Sequence, residues 1–202
     1  MRVSKHTILF LLLTAVLLFA VPSGVFAQAD EEFTPLYGRG DQMLSLSLGP
    51  FIPLFFAGGP DGIQDTNLSL GGTGNLQWHA FLNSNLTLGG ELGGTFTFSP
   101  NRTLFMVPLT ARATYFFRNY PWEFPVYLGA GVNFSRIPDE AFKVDPILKP
   151  GFSVLWNLDS EWAFGTNFVY WWVPQIYLDS ELEDETRFGN FLEITLTAVY
   201  RF

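Results

Sequence analysis

Four charged residues stand alone in apolar surroundings: Glu91 in Leu86-Thr-Leu-Gly-Gly-Glu-Leu92, Arg112 in Leu109-Thr-Ala-Arg-Ala-Thr-Tyr115, Lys149 in Ile147-Leu-Lys-Pro150, and Glu193 in Phe191-Leu-Glu-Ile-Thr195. Isolated charges of both signs in such settings do one of two things. They pair with one another as a structural network, or they form a charged constriction that gates a passage. His79 is the one histidine beyond His6, and a hydrolase would need it beside a serine and an acid. No Gly-x-Ser-x-Gly is present, and His79 has the parity of the polar residues around it, so it reads as a polar filler and catalysis is not expected. With no cysteine, disulfides and thiolate metal sites are excluded, and neither a metal nor a cofactor is expected.

The elements that carry these residues read as strands. In the final stretch, Leu192, Ile194, Leu196, Ala198, Tyr200 and Phe202 alternate with Glu193, Thr195, Thr197, Val199 and Arg201, a period of two. The same alternation predicts strands near 43–56, 67–82, 86–98, 103–117, 125–136, 147–158, 161–173 and 188–202. In the second, Leu68, Leu70, Leu76, Trp78, Ala80 and Leu82 form one face, and Ser69, Thr73, Asn75, Gln77 and His79 the other. No Asp, Glu, Lys or Arg is expected on the apolar parity of any of the eight. Glu91, Arg112, Lys149 and Glu193 all fall on the opposite face. For the hairpin closing at 99–102, facing positions sum to 201 or 203, which sets Glu91 beside Arg112.

The chain is 48% hydrophobic and 17% aromatic, yet beyond its first residues it has no run of apolar residues long enough for a spanning helix. A wall apolar on one face and polar on the other, with both faces nearly free of charge, is the pattern of a transmembrane β-barrel rather than of a water-facing sandwich. The fold class expected is all-β: an eight-stranded antiparallel up-and-down transmembrane barrel, closed because lipid tolerates no open sheet edge. Connections alternate between short (83–85, 118–124, 159–160) and mostly longer (57–66, 99–102, 137–146, 174–187). Trp78, Tyr115, Trp122, Trp156, Trp162, Tyr200 and Phe202 are expected in one aromatic belt, with Phe56, Phe98, Phe105, Phe134 and Trp172 in the other. Prolines 50, 53, 108 and 150 are expected at strand ends or bulges, or at a weakened seam.

Residues 1–27 read as a signal peptide: Arg2 and Lys5, an apolar run from Ile8 to Val21, and Val25-Phe26-Ala27 before the cut. Residues 28–42 would be a periplasmic tail and 43–202 the barrel, in the bacterial outer membrane. Without Arg2 and Lys5 the 11 basic residues fall to 9 against 19 acidic ones, a net charge near −10 that argues against nucleic acid. The partners expected are outer-membrane lipids, together with the periplasmic chaperones and insertion machinery that an unfolded barrel needs. Tyr200 and the terminal Phe202 would be the assembly signal. Asp179, Glu181, Glu183, Asp184 and Glu185 make the last long connection the most acidic stretch of the chain.

Pro125-Val-Tyr-Leu-Gly-Ala-Gly-Val-Asn-Phe134, Val107-Pro-Leu-Thr110 ahead of Tyr115-Phe-Phe117, and the closing Tyr200-Arg-Phe202 resemble the OmpW family of small barrels, with features shared by OmpA-type and OmpX-type barrels. The resemblance implies a narrow channel for small hydrophobic molecules, with a lateral opening into the bilayer proposed for it. The residues themselves leave a second reading open. An eight-stranded interior is only just wide enough for side chains, so the barrel could equally be a non-conducting structural or surface-interaction protein acting through its outer loops.

Overall fold

The computed structural model describes residues 37–58, 62–100, 102–136, 142–175 and 186–202. The expected signal peptide and the acidic stretch 179–185 lie outside them. Eight strands form a closed barrel in chain order: β1 (Gln42–Ala57), β2 (Gly71–Phe81), β3 (Leu86–Ser99), β4 (Arg102–Asn119), β5 (Trp122–Arg136), β6 (Lys143–Asn157), β7 (Trp162–Gln175) and β8 (Arg187–Arg201). Every neighbour is antiparallel, and β8 closes on β1 from Met43↔Arg201 to Ala57↔Phe188. The period-two alternation holds physically. Ser45 and Ser47 are buried inside while Leu44, Leu46 and Leu48 are exposed on the outer wall.

Three boundaries differ from the sequence expectation by more than two residues. β2 starts at Gly71 rather than 67, because Asn67 adopts a positive φ of 51° and takes the chain out of the extended region. Leu68 therefore turns against the interior apolar cluster and Ser69 lies exposed, the reverse of their expected faces. The expected connection 118–124 shrinks to Tyr120-Pro121, since Phe117↔Phe124, Arg118↔Glu123 and Asn119↔Trp122 continue the ladder. β6 begins at Lys143 instead of 147, extended by Ser135↔Lys143, Phe134↔Val144 and Asn133↔Asp145.

Phe56, expected in an aromatic belt, instead points inward and meets Phe191 edge-on at 6.2 Å. The cause is a bulge. The β1–β8 register shifts between Pro53 and Phe55, and one extra residue reverses the facing of everything beyond it. The carbonyl of Phe55 accepts a hydrogen bond from the Asn190 amide, and the Asn190 oxygen accepts one from Tyr170 Oη, so side chains satisfy the carbonyl that the bulge displaces. Arg136 breaks the rule of a charge-free outer face. It is the last residue of β5, exposed at the loop end beyond the apolar band.

The prolines divide. Pro53 sits at the bulge as expected, whereas Pro50, Pro108 and Pro150 lie in mid-strand. Each leaves a gap in one ladder: between Leu48↔Leu196 and Phe51↔Glu193, between Leu92↔Leu109 and Thr95↔Met106, and between Leu148↔Trp172 and Gly151↔Val169. The residue that cannot donate still pairs on its other side, as in Pro108↔Asn133. Lumen-facing glycines let the wall curve. A Cβ on Gly131 would collide with the Leu109 carbonyl across the ladder, so only glycine permits that close approach.

The interior is filled in three layers. Nearest the loops lie Phe51, Met106, Ile147, Val169, Trp171, Val173 and Phe191, with Tyr127 below them. A polar layer occupies the middle. Nearest the termini is a second apolar cluster, Met43, Phe81, Phe116, Leu155, Ala163 and Val199, capped by Tyr37.

Candidate functional site

The middle layer gathers the four charges that stood out in the sequence. Glu91 enters from β3, Arg112 from β4, Lys149 from β6 and Glu193 from β8, each at most 4% exposed. The β3–β4 register pairs Gly89 with Arg112 and Glu91 with Thr110, a sum of 201. Glu91 and Arg112 are thus diagonal neighbours, a spacing that long side chains bridge. Arg112 Nη1 donates to Glu91 Oε2 at 2.8 Å. Across the lumen Lys149 Nζ donates to Glu91 Oε1 and, at 3.4 Å, to Glu193 Oε2. Glu193 also accepts from Asn75 Nδ2 at 2.5 Å and Trp171 Nε1 at 2.8 Å.

Two cations and two carboxylates alternate here as Arg112, Glu91, Lys149 and Glu193, with zero net charge. Aromatic faces complete their surroundings: the Arg112 guanidinium lies 3.3 Å from the Tyr127 ring centroid and Lys149 Nζ 4.1 Å from that of Trp171. Chemically this is a cross-brace. Every charge is matched, no carboxylate is free to act as a base, and the side chains span the lumen.

A second ionic group closes the end near the termini. Glu123 on β5 accepts from Arg118 Nε at 3.2 Å through Oε1 and from Arg201 Nη2 at 2.6 Å through Oε2. Arg201 Nη1 donates further to Asn157 Oδ1 at 2.6 Å and to Tyr37 Oη at 2.8 Å, and Tyr37 Oη donates to the Ser160 carbonyl at 3.2 Å. Tyr37 stacks on Phe81 and lies between the guanidinium groups of Arg118 and Arg201, 5.1 and 4.8 Å from its ring centroid. Burial pushes its phenol above the ordinary value, which keeps the hydroxyl protonated and able to donate. Tyr37 belongs to the segment read as a tail, yet it fills the mouth of the barrel.

Sequence reasoning missed this group. The stretch 118–124 looked like a turn, which hid Arg118 and Glu123, although counting back by twos from Tyr127 puts Glu123 on the inner face. His79 lies inside as expected, with Nδ1 3.5 Å from Thr87 Oγ1. Among the described residues no group of three or more His, Cys, Asp or Glu could hold a metal ion. Tyr200 and Phe202 stack at 5.8 Å at the end of the closing strand.

A protein-family profile matches residues 27–200. The chain belongs to that family. An uncharacterized protein of Borreliella burgdorferi is 26% identical over 185 residues, covering 81% of this chain and 85% of its own length. Among solved structures, Neisserial surface protein A superposes with a TM-score of 0.62 at 11% identity, covering 81% of this chain and 97% of that one. The outer membrane protein OprG of Pseudomonas aeruginosa gives a TM-score of 0.50 at 11% identity, over 83% and 98%. At such identities the likeness is one of fold: this chain is a closed eight-stranded barrel of the outer-membrane type.

Proposed function

We propose that this protein resides in the bacterial outer membrane as a lumen-filled, non-conducting barrel that meets its partners, small ligands or host molecules, through its outer loops. The observation that carries this reading is the interior itself. Two apolar layers and an ionic cross-brace follow one another along the axis, and a void between the brace and the lower layer holds only about 20 Å³. A pore would need a file of water through all three. In this reading residues 1–27 are a cleaved leader, both termini are periplasmic, and the barrel end at Ala57, Ser99, Arg136 and Gln175 faces outward.

One observation favours the channel for small hydrophobic molecules that the OmpW resemblance implies. β6 pairs with β7 only from Leu148 downward, so at the loop end Val144–Ile147 have ladder partners on β5 but none on β7 among the described residues, beside the apolar layer of Ile147 and Val173. An apolar solute entering there would bypass the cross-brace. Conductance separates the two. Refolded protein in planar bilayers is expected to be silent, with and without small apolar solutes. Discrete openings that such solutes block would overturn the non-conducting reading in favour of the channel.

Assembly makes its own demand. Phe202 is more than half exposed on the outer wall, and its main chain exchanges both hydrogen bonds with Gln42. Removing Phe202 is expected to reduce the amount of folded barrel in the outer membrane severalfold while total synthesis is unchanged. Normal membrane yield of the truncated chain would refute its part in insertion.

A further inference from the structure

The void in the lumen lies between the cross-brace and the apolar cluster near the termini. Its polar side includes His79, Arg112 and Thr114 beside hydroxyl and amide side chains such as Ser153 and Asn167, and its apolar side includes Met43, Phe116 and Leu155. Three atoms on the polar side have no protein partner: His79 Nε2, Thr114 Oγ1 and Arg112 Nε, on residues between 1% and 4% exposed. Leaving such groups bare forfeits their hydration with nothing in return. Three of the nine buried side-chain atoms without a partner among the described residues belong to residues that line this one cavity, a concentration that calls for a ligand.

We infer that this cavity is a permanent internal binding site for water, with Tyr37 as its stopper. Size and charge choose the ligand. A water needs about 10–15 Å³ and about three polar partners, and the void of about 20 Å³ is lined by three residues whose buried polar atoms have no other partner. The cross-brace above it is already neutral, so an anion would leave an uncompensated charge in a low-dielectric interior, whereas water adds none. Water would accept from Arg112 Nε and exchange hydrogen bonds with His79 Nε2 and Thr114 Oγ1.

Access runs from the termini. Met43, Phe116 and Leu155 form the floor and belong to the same apolar cluster as Tyr37, which closes it from outside. Tyr37 is followed by Gly38 and by Gly40 at a φ of 102°, and an added Cβ at either would meet nothing within 4 Å. The short segment that carries the stopper is held in place by the Gly38 N–H donating to Asp41 Oδ2 at 2.8 Å and the Gly40 N–H donating to the Phe81 carbonyl at 3.0 Å, so the plug is anchored to β2. Toward the loops no comparable route exists, because the cross-brace and the layer of Phe51, Trp171 and Phe191 intervene.

The test is nuclear magnetic resonance on full-length mature barrel in lipid nanodiscs, labelled with ¹⁵N at the histidine ring, reading magnetisation transfer from water to His79. A water cross-peak is expected in the native protein, lost in Thr114→Val, which keeps volume but removes one partner. In Tyr37→Ala, exchange of that water with bulk is expected to be at least tenfold faster. Heat-modifiable migration on gels verifies that each variant is folded. Absence of the cross-peak in folded native protein would overturn the site, and so would a saturable chloride-dependent shift of the His79 ring, which would mean an anion binds instead. Unchanged exchange in Tyr37→Ala would overturn the stopper.

Discussion

Lys149→Met is expected to destabilise the barrel by about 3–5 kcal/mol, the range for stranding a buried charge. Lys149 Nζ holds Glu91 and Glu193 from opposite sides, and methionine keeps the volume while removing the cation. Glu91 would retain Arg112. Glu193 would retain only the neutral donors Asn75 and Trp171, leaving the middle layer with one unmatched negative charge. The second substitution Glu193→Gln restores neutrality, so Lys149→Met/Glu193→Gln is expected to recover most of the loss. That recovery distinguishes a charge effect from a packing one, because the double variant has lost more native contacts than the single. Urea unfolding followed by tryptophan fluorescence in lipid vesicles measures both. A loss below about 1 kcal/mol for Lys149→Met, or no recovery in the double variant, would show that the cross-brace is not electrostatically coupled.

What made the middle layer readable in the sequence was parity. Once strands are assigned, a period of two decides which charges face inward, and Glu91, Arg112, Lys149 and Glu193 all followed it. Their pairing across the lumen was only partly readable. Glu91 and Arg112 share a hairpin whose register a short connection fixes, but Lys149 reaches Glu91 only because the sheet closes and brings β6 opposite β3. Parity failed where the backbone left regular geometry. A bulge after Pro53 turned Phe56 inward, a left-handed Asn67 turned Leu68 inward, and neither event has a signal in the alternation of residue types. Turn chemistry misled in the opposite direction. Asn119-Tyr-Pro121 looked like the centre of a broad connection, when two residues sufficed and the ladder ran through Arg118 and Glu123.

That hidden pair sets up a contrast with the middle layer. Glu123→Gln leaves Arg118 and Arg201 facing each other without the carboxylate that joins them, both against the ring of Tyr37. The expected loss lies toward the low end of roughly 3–5 kcal/mol, because the Arg118 side chain is 14% exposed and water at the mouth screens part of the repulsion. Screening also gives the change its signature. Raising salt should reduce the loss at Glu123 but not the loss at Lys149, whose side chain is 1% exposed. The repulsion should also act on the plug. Tyr37 is buried in the native protein, so chymotrypsin is expected to leave it intact, and with its two flanking cations forced apart it should become a cleavage site under native conditions. Arg118→Met in the same chain removes the surplus charge and is expected to restore both stability and protection. If Glu123→Gln destabilises the barrel while Tyr37 stays protected, the mouth is held by the apolar stack of Tyr37 on Phe81 and the ion pairs only decorate it.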